Sequence, residues 1–232
     1  KPTTSVFAVF SIAERRFGRG ESLAEKLLAV TLAPYLYMFL IGVRILTGTV
    51  TAQQAGQAFA QLADAVIRAV HGAVAESFAK AHGHMRNEES AVIAMGKLGG
   101  YEMTATSDLD LILVYDFNDE NPESDGARPL YGTQYFARLT QRLINSLTAQ
   151  TNYGALYQVD MRLRPSGRAG PLPTQLDGFL QYQESEAWTC EHMALTRARV
   201  VSASPAFKKR IEDVVAGILQ RPRDATLTAG DL

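Results

Sequence analysis

The stretch Ala94–Asp116, AMGKLGGYEMTATSDLDLILVYD, decides how the rest of the chain is read. Its second half, DLDLILVYD (108–116), is an apolar run of strand length headed by two carboxylates, Asp108 and Asp110. Side chains alternate along a strand, so the two aspartates share a face with Ile112 and Val114 behind them. Leu109, Leu111 and Leu113 face the other way, into a core. Crowded like charges raise a pKa or demand a counter-ion. AVIAMG (91–96) reads as a preceding strand closed by Gly96, and KLGGYEMTATS (97–107) as a loop or short helical turn. A glycine turn after one strand, followed by Asp-x-Asp on the next, suits a phosphate cradled by backbone N–H groups and a divalent cation held by carboxylates. The plainer reading is that Asp108 caps a strand and Asp110 meets a nearby arginine.

Working outward, GALYQVDMRLRP (154–165) alternates as a third strand, with Tyr157, Val159 and Met161 opposed to Gln158, Asp160, Arg162 and Arg164. If it neighbours the second strand, Asp160 joins Asp108 and Asp110. Three carboxylates on one face answer to a hard divalent cation, and Mg²⁺ in such sites is typically completed by substrate phosphates. Lys97 in the turn, with Arg162 and Arg164 on the face of Asp160, supplies phosphate-binding cations. Ion pairing of the two arginines to the aspartates is the alternative, and the roles can coexist.

The first ninety residues read as helical. Thr51 and Gln54 fit a capping box, and Phe59, Leu62, Val66, Val70, Val74 and Phe78 recur at helical spacing, ending near KAHGHMRNEES (80–90). Leu27–Val43 is 17 residues without a charge, at the short limit of a membrane span. Pro34 and Gly42 favour a buried helix, or two helices broken near Pro34. After the second strand, FNDENPESDGARP (117–129) reads as an exposed, mobile, acidic loop. A helix follows with Phe136, Leu139, Leu143 and Leu147 inward, and SGRAGP (166–171) is a turn. Helices are expected over 174–184, 186–201 and from Pro205 to about 220, with a frayed tail, RPRDATLTAGDL. The fold class is therefore α+β: a small mixed sheet with flanking helices and an N-terminal helical region. Its expected divisions are a helical region 1–90, a catalytic unit 91–203, and a C-terminal helix and tail 204–232 opening a further helical region.

Composition narrows the function classes. The chain has 232 residues, 47% apolar and 20% charged, with net charge −1. That balance gives no bulk drive towards nucleic acid or anionic lipid, so any phosphate site is local. A single cysteine, Cys190, excludes an internal disulfide and a cysteine metal centre, and a reducing cytoplasm is the simplest setting. No secretory signal is read in KPTTSVFAVFSIAERR.

GKLGG, SDLDL and VDMRLRPSGRAGPL together resemble the bifunctional glutamine synthetase adenylyltransferase/adenylyl-removing enzymes, whose catalytic halves are similar to polymerase-β-like nucleotidyltransferases. The resemblance is strong from about Ile41 to Val201 and weak before Met38, and the chain is short for the whole enzyme. Where the wider superfamily has Gly-Ser in the turn, this chain has Gly96-Lys97. EAWTCEH (186–192) resembles the C-terminal, adenylylating half rather than the adenylyl-removing one. The resemblance implies AMP transfer from ATP to a tyrosine of glutamine synthetase, with pyrophosphate released, in the control of nitrogen assimilation. It implies Mg²⁺ (or Mn²⁺), ATP as substrate, glutamine synthetase as protein substrate, and the PII signal protein as a partner of the full-length enzyme. Asp108, Asp110 and Asp160 match the metal and catalytic carboxylates. Gly96, Lys97, Gly99, Gly100 and Ser107 match the nucleotide loop, and Arg162 and Arg164 match positions read as phosphate contacts.

Rival readings are the adenylyl-removing half, an Asp-x-Asp nucleotide-sugar glycosyltransferase, and a docking module without chemistry. The glycosyltransferase would need a larger βαβ array ahead of the pair, and intact aspartates argue against the docking module. His192, beside Trp188 and Glu191, is read as structural or substrate-orienting. His71, His82 and His84 lie in or near the helical region, and the HGH pair is read as a solvated loop rather than a metal ligand. Cys190 is read as a packed thiol.

Overall fold

The computed structural model describes residues 23–150, 154–155 and 157–221, with side chains from residue 34 onward except that of residue 168. The expectations for the first 22 residues and for the tail beyond 221 lie outside the described residues.

Helix α1 (Leu23–Leu46) runs through Pro34 without a break in assignment, and α2 (Ala52–His82) follows after a short turn. The α2 start is the expected capping box. Thr51 Oγ1 accepts from Gln54 N at 3.2 Å, and Thr51 N donates to Gln54 Oε1 at 2.9 Å. The expected stripe, Phe59 to Phe78, is buried along α2. Helix α1 is not the buried helix expected from its composition. Ile41 packs inward with Tyr37 and Met38, but Leu36, Phe39, Leu40, Val43, Ile45 and Leu46 are exposed. Among the described residues α1 lies chiefly along α2, and one neighbour covers one face. No helix among the described residues is long and apolar enough to cross a membrane.

The sheet comprises β1 (Glu89–Ala94), β2 (Leu109–Asp116), β3 (Val159–Asp160), β4 (Pro173–Gln175) and β5 (Arg199–Ser202). Between β1 and β2 lies the one-turn helix α3 (Gly96–Gly99), and α4 (Gly132–Leu147) follows β2. Helices α5 (Leu176–Ser185) and α6 (Thr189–Leu195) precede β5, and α7 (Pro205–Leu219) follows it. The strand order is β3-β2-β1-β5. Strands β3 and β4 both pair parallel with β2, at its start and its end, while β1 is antiparallel to β2 and to β5. This is the expected α+β class with a small mixed sheet.

The alternation read from β2 holds in three dimensions. Leu109, Leu111, Leu113 and Tyr115 pack with Val92 and Ala94 under α2 and α4. Ile112 and Val114 pack with Ile93 and Met95 under Phe179, Phe207 and Ile211 of α5 and α7. Each fully buried Leu, Ile or Phe contributes roughly 1.5–3 kcal/mol, so both faces anchor the strand that carries the aspartates.

Three expectations are corrected. The third strand does not run to Pro165: only Val159–Asp160 pair, and the chain then turns through Met161–Gly170. The helix expected over 186–201 ends at Leu195, and Arg199–Ser202 is an edge strand on β1, where β-branched Val200 and Val201 are buried. The helix expected from Thr174 starts at Leu176, because Pro173–Gln175 pairs with β2 first.

The loop 117–129 is tied down rather than free. Asp125 N donates to His84 O, Gly126 N to His82 O and Arg128 N to Ala81 O, at 3.0–3.2 Å. His82 is buried, donates from Nδ1 to Arg128 O at 2.7 Å and packs on Phe78, so the HGH segment is not simply a solvated loop. Exposed His84 pairs with Glu88, which raises its pKa.

Candidate active site

Strand β2 presents Asp110 directly opposite Asp160 of β3 in the parallel register. The pairing is closed by Leu109 N donating to Gln158 O at 2.8 Å. One carboxylate oxygen from each of Asp108, Asp110 and Asp160 falls within 4.8 Å of the others. Asp108 is exposed, and Asp110 and Asp160 are half-buried. The Asp110 carboxyl is pushed above its usual range, first by burial, then by the charges of Asp108 and Asp160; Arg162 and Lys97 oppose the shift. A set of hard oxygen donors that crowd one another in this way fits a divalent cation such as Mg²⁺ or Mn²⁺.

The glycine turn abuts this cluster. Met95 N donates to Asp110 O at 2.9 Å, which fixes the start of the turn against β2. Gly96 has φ +51°, and a Cβ there would stand 2.2 Å from Asp110 Oδ2, so backbone conformation and space both call for glycine. A Cβ on Gly99 would stand 2.0 Å from Arg197 O, where the chain entering β5 crosses beneath the turn. Gly99 N donates to Met95 O at 2.8 Å and Gly100 N to Gly96 O at 3.1 Å, so these two donors close the turn itself. Lys97 is exposed at its crest. Ser107 stabilises the approach to β2: its Oγ accepts from Thr104 N and bonds Thr104 Oγ1, both at 2.9 Å.

The two arginines part company. Arg162 donates from N to Asp160 Oδ1 at 2.8 Å and from Nε to Oδ2 at 2.6 Å, with Nη2 also on Oδ2. This pairing raises its pKa, and the guanidinium remains largely exposed. Arg164 does not share that face, because the strand has already ended. It is buried, and donates to Met161 O at 2.7 Å, Pro171 O at 3.1 Å and Gly170 O at 3.3–3.4 Å. It therefore shapes the RLRPSGRAGP loop from within. His192 donates from Nε2 to Gln183 O at 2.8 Å, a structural contact between α6 and α5. Cys190 is exposed, not packed.

Sequence reasoning missed a second polar centre behind the turn. Asp64 of α2 is buried and receives both Arg199 Nη1 at 2.6 Å and Nη2 at 2.9 Å. The available signal was a carboxylate within the apolar stripe of α2. His71, also on α2, lies between Ser202 and Ser90, with Nδ1 2.9 Å and Nε2 3.1 Å from their hydroxyls. Burial lowers its pKa to about 4.

A small mixed sheet with a glycine turn after its first strand and an acid pair on the next has the fold of a polymerase-β-like nucleotidyltransferase domain. The family model for glutamate-ammonia ligase adenylyltransferase matches residues 35–214, beyond both ends of the stretch whose motifs resemble it. The chain belongs to that family. It is 63% identical over 195 residues to the bifunctional glutamine synthetase adenylyltransferase/adenylyl-removing enzyme of a Bradyrhizobium species, covering 84% of this chain and 20% of the relative. Its identity to the enzyme of the same name from Rhodopseudomonas palustris is 61%, with the same coverage. With that of Xanthobacter autotrophicus it is 58% over 194 residues, 83% of this chain and 20% of the relative. The chain thus spans about a fifth of the length of the curated relatives it matches.

Proposed function

We propose that this chain is the catalytic segment of an adenylyltransferase that moves AMP from ATP to a tyrosine hydroxyl of glutamine synthetase and releases pyrophosphate. The observation that carries the reading is the convergence of Asp108, Asp110 and Asp160 within 4.8 Å, against a turn in which Gly96 touches Asp110. The names of the relatives supply the protein substrate, and EAWTCEH supports the adenylylating direction.

Asp108, Asp110 and Asp160 would hold Mg²⁺ or Mn²⁺. When bound, the cation neutralises triphosphate charge and lowers the pKa of a coordinated hydroxyl. Asp160 accepts the tyrosine proton as the oxygen attacks the α-phosphorus, and Arg162 fixes the orientation of that carboxylate. Lys97 and Arg162 neutralise charge building on the leaving pyrophosphate. Gly96 lets the turn approach the acidic cluster, Gly99 and Gly100 keep it closed, and Ser107 sets the entry into β2. Arg164 preserves the loop that carries Arg162. Residues 1–90, 91–203 and 204–232 are the proposed helical, catalytic and C-terminal divisions. A cytoplasmic setting, and PII acting through the full-length enzyme, complete the proposal.

The test compares the full-length enzyme with its Asp110→Asn variant in two assays: label transfer from α-labelled ATP to unmodified glutamine synthetase, and release of ADP from modified synthetase and phosphate. The variant is expected to lose transfer to the synthetase tyrosine and to keep removal. Loss of removal with transfer retained assigns the segment to adenylyl removal instead.

A further inference from the structure

We propose that the buried Asp64–Arg199 pair is the positioning device of the glycine turn, so that helix α2 sets the geometry in which the turn meets ATP. This rests on the reading of Gly96–Gly100 as the nucleotide turn. Arg199 grips two things at once. Its Nη1 and Nη2 form a fork on Asp64 at 2.6 and 2.9 Å. The same guanidinium donates from Nη2 to Leu98 O at 3.0 Å and from Nε to Gly99 O at 3.4 Å. The two peptide units following those carbonyls are held at their other ends too, through Gly99 N on Met95 O and Gly100 N on Gly96 O. Neither peptide plane can rotate without breaking a bond on each side.

The exit from the turn is fixed by the same residue. Tyr101 has φ +59°, an uncommon conformation for a residue with a side chain. Its ring lies against Arg199, 4.0 Å from guanidinium carbon to ring centroid. Helix α2 presses on the next peptides: a Cβ on Gly56 would meet Tyr101 O at 3.2 Å and Met103 O at 3.4 Å. Arg197, two residues before Arg199, pairs with Glu102 at 2.9 Å. The base of the turn is thus clamped between α2 and β5, while Gly96 and Lys97 are left facing the acidic cluster. Asp64 reaches the turn through Arg199, so its influence on ATP passes through the backbone. Arginine's planar fork matches this dual task, and a lysine ammonium cannot span both partners.

The experiment is steady-state AMP transfer by the full-length enzyme carrying Asp64→Asn or Arg199→Lys, with thermal midpoints measured alongside. Displacement of an orienting backbone by a fraction of an ångström is expected to raise KM for ATP about tenfold. KM for glutamine synthetase should stay at its wild-type value. A purely structural pair would lower the thermal midpoint and the amount of active enzyme, hence kcat, with KM for ATP unchanged; that result overturns the proposal. If Asp64→Asn does not fold, Arg199→Lys, which keeps the charge, decides alone. If the wild-type enzyme transfers no AMP, the functional reading falls separately. Calorimetric ATP affinity then carries the test, and equal affinities in wild type and Arg199→Lys overturn the inference.

Discussion

The front and back of one short turn treat buried charge in opposite ways. Behind Gly96–Gly100, Asp64 is fully buried and matched by a two-pronged arginine. In front, Asp110 is only half-buried, yet its carboxyl is pushed up, first by that burial and then by two further carboxylates, Asp108 and Asp160. A charge that a fold needs for its own integrity is given a partner on the spot. A charge left crowded by its own kind is arranged for something that arrives. The contrast separates architecture from chemistry more cleanly than burial alone, since the deeper carboxylate is the structural one.

The largest expected effect breaks the front of the turn. Asp110→Asn should abolish AMP transfer in the full-length enzyme and leave the fold intact; more than a few per cent residual activity would remove Asp110 from the mechanism. The sign of its stability effect is also set. A carboxyl whose folded pKa is raised contributes stability below its unfolded pKa that is lost as pH rises through the folded value. At neutral pH without divalent cations, Asp110→Asn should therefore have a thermal midpoint no lower than wild type. Adding Mg²⁺ should raise the midpoint of wild type and not of the variant. Equal responses to Mg²⁺ would place the cation elsewhere.

At the back, Asp64→Ala should act oppositely on stability. It strands Arg199, whose side chain is only 20% exposed. Breaking one side of such a pair costs about 3 kcal/mol. Denaturant unfolding of Asp64→Ala, Arg199→Met and the double variant measures it; the double variant should lose much less than the sum. Strict additivity would mean that the two side chains do not act as a pair.

How much of this was legible beforehand follows the range of each signal. Thr51 and Gln54 are three residues apart and needed nothing distant, so the start of α2 was readable. The alternation through Leu109–Val114 sorted the two faces of β2, and with them Asp108 and Asp110. Asp160 was placed on the assumption that β3 neighbours β2. Arg162 does meet Asp160, but Arg164 was misplaced, because the strand stops where Met161 turns and alternation ceases to report direction. Val200 and Val201 joined the sheet only because β1 offered an edge, a tertiary fact that helical spacing in the same stretch concealed. The partnership of Asp64 with Arg199 spans 135 positions, beyond any local pattern. Exposure of Phe39 (66%) on α1 was hidden for the converse reason: composition signals apolar surface, not whether something covers it.

The attachment of α2 to β5 gives a pH-dependent effect of similar or smaller size. His71 is bonded to Ser90 and Ser202, and burial holds its pKa at about 4 against an unfolded value of 6.5. The unfolded chain takes up the proton first on acidification, so stability is full above pH 6.5 and is lost as pH falls towards 4. The loss is at most roughly 3 kcal/mol. His71→Gln, which can still bond a serine hydroxyl, should flatten that part of the stability profile measured by denaturant unfolding. An unchanged profile would assign the acid sensitivity to other groups.

The smallest effect asks whether the back of the turn depends on α2 as a helix or only on its tertiary anchors. Thr51→Ala removes the oxygen that accepts from Gln54 N, and should cost about 1 kcal/mol, the usual cost of losing a threonine cap. Asp64 lies thirteen residues further along α2, more than three helical turns away, and is held by Arg199 rather than by the cap. Fraying at the cap should therefore lower the unfolding midpoint slightly and leave KM for ATP unchanged. A rise in KM for ATP comparable with that of Arg199→Lys would instead mean that strain at the start of α2 travels along the helix to the turn, and that front and back are coupled through the whole helix rather than through one buried pair.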